Sequence, residues 1–515
     1  MQITQSLHRA VQAVPHEVCT VFGERKRTFA EVADRVARFA GALQRLGVGD
    51  GERVGIYALN SDRYHEFLLA VPWAGGVVNP VNVRWSPAEV AYSLVDCQTE
   101  ILLVDDAFIG TIAEVREKAP ALRTVIHMGE HAAPDGVLDY EELISGTEPV
   151  EDVRRRDRDL YGIYYTGGTT GAPKGVMLDH RAMLTSAMGS SISAGTVALR
   201  GVLLHAAPMF HLADGAAGNQ ANLTLSTHVM VPSFTPAGVI EAIQEHGVTN
   251  LFLVPTMIQM LLDAPESASA DFSTVEQVLY GASPMSETLL RRAQDVFANA
   301  GFIQAYGMTE LAPVATVMSP ADHGRPELAR SCGRAAAHSE VRVVDPDDTE
   351  LPPGDVGEIV ARGDHVMQGY WNKPQETEAA LRGGWMHTGD MGYMNEDGYF
   401  FVVDRLKDMI ITGGENVYSV EVENVLAKIP QVESVAVVGA PDEEWGERVH
   451  AFVILREGET LTLEEVQAFC KEHIANYKIP RSMEIVPVFP LSGAGKILKR
   501  DLRKELWDDA GRSVN

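Results

Sequence analysis

Cysteine is scarce in this 515-residue chain: Cys19, Cys97, Cys332 and Cys470 are its four, far apart and without CxxC spacing. Such spacing builds neither a disulfide framework nor a zinc site, and it fits a reducing compartment. Basic charge is also short, with 43 lysines and arginines against 71 aspartates and glutamates and a formal net charge of −28. That field repels phosphate backbones and anionic headgroups, which argues against nucleic acid as the main partner. Any anionic small ligand must then be held locally, by backbone N–H groups and a few placed cations. Long apolar runs are missing too, and the opening MQITQSLHRAVQAVPHEV lacks the basic-then-apolar order of a targeting segment. No transmembrane segment is expected, and the expected location is cytoplasmic. Hydrophobic residues at 45% and charged residues at 22% are ordinary for a folded globular chain, which excludes disorder, collagen and coiled coil.

Short β-rich apolar runs alternate with helical patterns through the first 300 residues or so. Thr28-Phe29-Ala30-Glu31 forms a capping box for an amphipathic helix running to Gly47, followed by the strand RVGIYAL at 53–59. Ser86-Pro87-Ala88-Glu89 repeats the signal, and its helix leads to the strand ILLVD at 101–105. Further units are YGIYYT at 161–166, TPAGVIEAIQEHG followed by VTNLFLV, and VEQVLYG followed by a helix beginning near Ser286. Strand–helix–strand repetition implies an α/β fold with largely parallel sheets. From about residue 340 the texture changes to short strands separated by Gly, Pro and Asp turns. A separate α+β pattern of roughly 110 residues, a common domain size, begins near Asp404-Arg405-Leu406-Lys407. The expected domains are therefore 1–404 and 405–515.

The sharpest chemical feature is Thr166-Gly167-Gly168-Thr169-Thr170-Gly171-Ala172-Pro173-Lys174-Gly175, directly after a strand. Glycines permit close backbone approach, hydroxyls and N–H groups ring an anion, and one lysine adds charge, so the segment reads as a phosphate loop. It is not a Walker A loop, because Lys174 lies between Pro173 and Gly175 instead of between a glycine and a hydroxyl. GxGxxG is absent in a strand-to-helix setting, and Gly281-Ala282-Ser283-Pro284-Met285 lacks the second glycine of a hydrolase elbow. His127 and His131 have i, i+4 spacing, but with no acidic or third ligand evident nearby they read as surface residues.

The glycine loop, Tyr306-Gly307-Met308-Thr309-Glu310, Thr388-Gly389-Asp390, Asp404-Arg405-Leu406-Lys407-Asp408 with GGENVY at 413–418, and Gly495-Lys496-Ile497 occur in one order. In that order they resemble the adenylate-forming enzymes, specifically the acyl-CoA synthetase branch that includes fatty-acid and 4-coumarate ligases. The resemblance spans nearly the whole chain. It implies a large N-terminal region of two helix-flanked sheets plus a small barrel, then a mobile C-terminal α+β domain. It also implies the reaction: a carboxylate attacks the ATP α-phosphate, giving acyl-AMP and pyrophosphate, and a thiol then displaces AMP.

The resemblance further implies roles for particular residues. Thr166, Gly167, Gly168, Thr169, Thr170 and Lys174 would hold the triphosphate. Glu310 would bind Mg²⁺ beside the hydroxyl of Thr309, a hard oxygen pair suited to that ion. Tyr306 would stack on adenine, bordered by Gly281, Ala282 and Ser283, while Asp390 and Arg405 would take the ribose. Lys496 would meet the α-phosphate during adenylation. Lys407 would be the hinge about which the C-terminal domain turns, bringing Gly413 and Gly414 to a pantetheine tunnel, with Tyr477 and Arg481 on the CoA nucleotide. One departure stands out: the family loop usually reads Thr-Ser-Gly, and Gly167 replaces the serine, removing a hydroxyl from the outer phosphates.

His211 would border the reacting carboxylate, and the acyl pocket would be lined by Ala213, Asp214, Gly215, Met257 and Leu311. Small residues after His211 leave volume for a medium or long fatty acid or an arylpropenoic acid, and acetate looks too small. Histidine at 211, where amino-acid-activating relatives carry an aspartate, disfavours amino acids. ATP, Mg²⁺ and coenzyme A are the expected cofactor and co-substrates, with a small carboxylic acid as substrate and a homodimer as a common arrangement among relatives. The alternative is a freestanding adenylating enzyme that loads a carrier-protein thiol, and a luciferase-like oxygenase is a third reading.

Overall fold

The computed structural model describes residues 1–166, 173–194, 199–283, 285–413, 415–442, 445–491 and 497–508. The chain divides into two compact units, Met1–Val341 with Ala361–Met386, and Arg342–Val360 with His387–Asn515. These divisions precede the 404/405 junction expected from the change in texture. Strand pairing accounts for the difference: Met386–Met394 and Phe400–Arg405 form an antiparallel hairpin in which Asp390 faces Arg405, so both sides of that junction share one sheet.

In the first unit the alternating pattern becomes two sheets. One has nine strands, of which Gly301–Tyr306, Gln277–Gly281, Asn250–Leu253, Val202–His205, Thr227–Met230 and Val18–Phe22 are parallel neighbours in that order. The other has eight strands, with Arg53–Tyr57, Val77–Pro80, Ile101–Val104 and Leu160–Thr166 in its parallel part. Both capping boxes form as read: Thr28 and Glu31 cap Phe29–Arg45, and Ser86 and Glu89 cap Pro87–Asp96. Thr235 caps Pro236–His246 and Ser286 caps Glu287–Val296.

The largest apolar cluster packs helices against the eight-stranded sheet, with Phe39, Tyr64, Phe67 and Tyr140 among its buried aromatic rings. Beside it lies a charged lattice. Glu66 is fully buried and takes Arg35 Nε at 2.6 Å and the Tyr140 hydroxyl at 2.8 Å. Arg35 and Arg63 both hold Glu141, at 2.8 and 2.9 Å, and Arg25 and Arg27 both hold the buried Asp62. Carboxylates this deep persist only because every one is paired and hydrogen-bonded.

The second unit contains a four-stranded sheet, in the order Glu340–Val344, Gly357–Arg362, Met386–Met394 and Phe400–Arg405, in the region expected as the small barrel; the unit divisions cut its first three strands. A five-stranded sheet follows, centred on Val432–Asp442 and Gly446–Leu455 and covered by Ser419–Leu426, Leu463–Lys471 and Lys499–Asp508. Among the described residues no helix is long and apolar enough to cross a membrane.

Candidate active site

The phosphate-loop reading acquires a frame. Leu160–Thr166 and Lys174–Asp179 are antiparallel strands in which Thr166 faces Lys174, so the two strand ends flank the glycine segment. Residues 167–172, and hence the assignments to Gly167, Gly168, Thr169 and Thr170, lie outside the described residues. The arms are tightly built. A methyl group on Gly175 would meet Ile163 Cγ2 at 2.7 Å, and Trp371 N–H donates to the Gly175 carbonyl at 2.8 Å.

The short strand Gly369–Tyr370 pairs with this hairpin, placing Tyr370 opposite Val176. Lys174 lies two residues earlier on the same face, and its ammonium stands 4.9 Å above the Tyr370 ring. The Tyr370 hydroxyl donates to Glu310 Oε1 at 2.9 Å. Burial, then the charge of Glu310, push the Tyr370 phenol well above its ordinary range, so it remains a donor at every physiological pH. Three side chains from distant parts of the sequence thus meet, and Tyr370, which the motif reading did not single out, joins the lysine to the carboxylate.

Glu310 is buried in the short turn Thr309–Leu311, immediately beyond Gly301–Tyr306. Met308 occupies the position before this turn, and Thr309 is its first residue. The turn is tied back by Met367 N–H to the Glu310 carbonyl at 2.9 Å and by Ala315 N–H to the Tyr306 carbonyl at 2.8 Å. Gly281 pairs with Ala305, and a methyl group there would meet the Ala305 carbonyl oxygen at 2.4 Å. The close approach brings Ala282 and Ser283 beside the strand end that carries Tyr306.

His211 precedes the helix Leu212–Thr224, and its Nδ1 accepts the Ala213 N–H at 3.3 Å. Ala213 and Met257 pack, with Ala282 and Ala305, on one apolar cluster that includes Leu203, Phe252, Leu279 and Val314. Gly215 has open space where a side chain would begin. The other two residues assigned to the acyl pocket have different neighbours. Leu311 is buried in the larger cluster with Val176, Met367 and Tyr370. Asp214 is buried, with its carboxylate on His205 Nδ1 at 2.7 Å. Spacing along a helix could not show that residues 213 and 214 turn to different surroundings.

In the second unit Arg405 Nε lies 3.2 Å from Asp390 Oδ1, a consequence of their register in the hairpin. The turn before Asp390 is fixed by the Thr388 hydroxyl to the Ile359 carbonyl at 2.6 Å and by Gly389 N–H to Glu358 at 2.9 Å. Lys407 follows two residues after Arg405, and its carbonyl accepts from Arg503 at 2.8 Å. Gly413 has φ 59° and would place a methyl group 2.5 Å from the Trp445 ring, while the Arg481 guanidinium lies 5.2 Å above that indole. Gly413 and Arg481 therefore share Trp445, a partly exposed tryptophan that the sequence reading passed over. Tyr477 packs beside Lys478, whose ammonium is paired with Glu421 at 2.7 Å. Gly414 and Lys496 lie outside the described residues.

The histidine pair expected at the surface is corrected in part. His131 is exposed, but His127 is buried, and Asp106 is the missing acidic neighbour, 3.0 Å from His127 Nε2 and 3.1 Å from His131 Nδ1. Asp106 comes from the adjacent strand end, a proximity set by parallel pairing and invisible to linear spacing. No group of three His, Cys, Asp or Glu side chains among the described residues is arranged to hold a metal ion.

A glycine hairpin carrying a lysine, a buried carboxylate at the end of a parallel strand, and a separate α/β unit with an Asp–Arg hairpin together define an adenylate-forming enzyme. The chain belongs to the AMP-binding enzyme family: that family's model matches residues 7–371, and the model of the AMP-binding enzyme C-terminal domain matches residues 421–496. Its architecture and ordered motifs are those of the AMP-forming acyl-CoA synthetases. A fatty acid–acyl-carrier-protein ligase of Streptomyces coeruleorubidus is 35% identical over 521 residues, 99% of this chain and 97% of that protein. A feruloyl-CoA synthase of an Amycolatopsis species is 37% identical over 499 residues, 96% of this chain and 97% of that protein. The crystal structure of an anthranilate CoA ligase in complex with anthranoyl-AMP matches with a TM-score of 0.92 at 25% identity, covering 99% of this chain and 98% of that one.

Proposed function

We propose that the protein activates a carboxylic acid as its acyl-adenylate, using ATP and releasing pyrophosphate, and then transfers the acyl group to coenzyme A. The convergence of Lys174 and Glu310 on Tyr370 carries this reading. Attack of a carboxylate on a polyphosphate brings two anions together, so the barrier falls where fixed positive charge and N–H groups face the developing negative charge. Lys174 supplies one such charge at the foot of the hairpin. Lys496 would supply a second, on the strength of its motif alone.

Glu310 and Thr309 fit Mg²⁺. The ion takes one or two protein oxygens and completes its octahedron with phosphate oxygens and water, which agrees with a single buried carboxylate and the absence of a three-ligand cluster among the described residues. When bound, it would neutralise phosphate charge. Asp390 and Arg405 hold the ribose, Tyr306 the base, and Gly413, Tyr477 and Arg481 the CoA nucleotide and arm. Lys407 is the hinge. The apolar wall of Ala213 and Met257 favours an uncharged acyl tail, in the class of medium or long fatty acids or arylpropenoic acids.

The test is a panel of acids incubated with ATP, Mg²⁺ and CoA, reading AMP, pyrophosphate and thioester mass together. AMP with one thioester series is the expected result, and ADP would overturn the mechanism. A second reading, transfer to a carrier-protein thiol, is favoured by the likeness to the acyl-carrier-protein ligase. AMP and pyrophosphate without any CoA thioester would select it.

A further inference from the structure

His211 sits at the end of a six-residue connection between the strand Val202–His205 and the helix Leu212–Thr224. Loops of this kind owe their backbone positions to whatever satisfies their N–H and C=O groups. Here much of that work falls to one side chain from the opposite sheet. Asn60 follows the strand Arg53–Tyr57 and immediately precedes Ser61, which caps the helix Asp62–Ala74. It is buried, at 4% exposure. Its Nδ2 donates to the carbonyls of His205 at 3.3 Å and Ala207 at 2.9 Å, and its Oδ1 accepts the Met209 N–H at 2.8 Å. Its own N–H donates to the Pro232 carbonyl at 3.1 Å, beyond the neighbouring strand. Both side-chain donors and the acceptor of one amide are therefore engaged along a single connection.

A second anchor holds the far side of His211. Asp214 N–H donates to the His211 carbonyl at 3.1 Å, and its carboxylate grips His205 at 2.7 Å. His205 Nε2 in turn meets His228 Nδ1 at 2.9 Å, and all three residues are buried. The strand end, the connection and the first helical turn are thereby closed into one loop of hydrogen bonds around His211.

We propose that Asn60 and the Asp214–His205 pair are positioning residues that fix the backbone of the His211 turn, and with it the place from which the imidazole meets the reacting carboxylate. The inference rests on the acyl-activating reading of this site. Two measurements test it on the full chain. Amide exchange of the parent protein needs no substrate: Met209 and Asp214 N–H should be protected to the level of the adjoining strand Val202–His205, and exchange at the rate of an open loop would overturn the proposal.

The second measurement is the adenylation kinetics of Asn60→Ala and Asp214→Asn, expressed per folded enzyme. Misplacing a group by about 1 Å costs on the order of a hundredfold, so kcat should fall roughly tenfold to a hundredfold and the KM for the acid should rise. The KM for ATP should stay within about twofold, because Lys174, Glu310 and Tyr306 lie on other elements. A folded variant with unaltered kcat and acid KM would show a purely structural role and overturn the proposal. If the parent forms no adenylate with any acid, the functional reading fails and the exchange data still decide whether the turn is held.

Discussion

Tyr370 lies between the two charges of the site, and its hydroxyl is a hydrogen bond to an ionised group, worth about 1.5–3 kcal/mol. Tyr370→Phe should therefore lower kcat/KM for pyrophosphate release by tenfold or more while leaving the hairpin pairing intact. Glu310→Gln removes the carboxylate itself and should cost more, on the order of a hundredfold to a thousandfold. Equal activity of Tyr370→Phe and the parent would show that Glu310 is held without it. Gly167 poses the opposite question, since the family's serine can be restored. Gly167→Ser should lower the KM for ATP by adding a hydroxyl to the phosphate loop, and an unchanged KM would remove any role for that contact.

At the scale of the strand, the residues proposed to face the nucleotide depend on how closely two backbones approach. Gly281→Ala would press a methyl group against the Ala305 carbonyl, at 2.4 Å in the present geometry. The pair of strands must then separate, moving Ala282 and Ser283 relative to Tyr306. The variant should lose about 1–3 kcal/mol of stability in urea unfolding and bind ATP more weakly, and full retention of both would contradict this. This element also marks what the sequence could reveal. Thr28, Ser86, Thr235 and Ser286 announced helix starts because capping is local chemistry, and the ordered motifs single out Lys174, Glu310, Asp390 and Arg405 as candidates. Tyr370, Asn60 and Trp445 were illegible because each acts through partners brought in by strand pairing or sheet packing. The partner of Asp214 is illegible for a related reason: helical periodicity gives a direction only once the neighbouring strand is known, and His205 lies on that strand.

For the molecule as a whole, burial makes acid its weakness. His65 and His365 are pushed down to about 3 and His180 to about 4 by loss of solvent. An unfolded histidine takes up a proton near 6.5, whereas these do so only at much lower pH. Their contribution to stability is thus complete above about 6.5 and declines as pH falls towards 3. Burial would raise Glu141, but the hydrogen bonds and charge of Arg35, followed by the charge of Arg63, pull it down to about 2. Its contribution is present above the ordinary carboxylate range and is lost as pH falls to about 2. Urea midpoints should hold steady from pH 8 to 7 and decrease below 6.5; a flat profile to pH 5 would refute this. Glu66→Gln, which leaves Arg35 with Glu141 as its remaining countercharge, should destabilise by about 1–3 kcal/mol. The position of Tyr370 late in the chain has a consequence for biosynthesis. The hairpin that carries Lys174 leaves the ribosome nearly 200 residues before Gly369–Tyr370, the strand that covers its edge. Throughout that interval a row of unpaired N–H and C=O groups stands open to other nascent chains. The same late strand that brings Tyr370 to Lys174 and Glu310 thus also covers part of that edge.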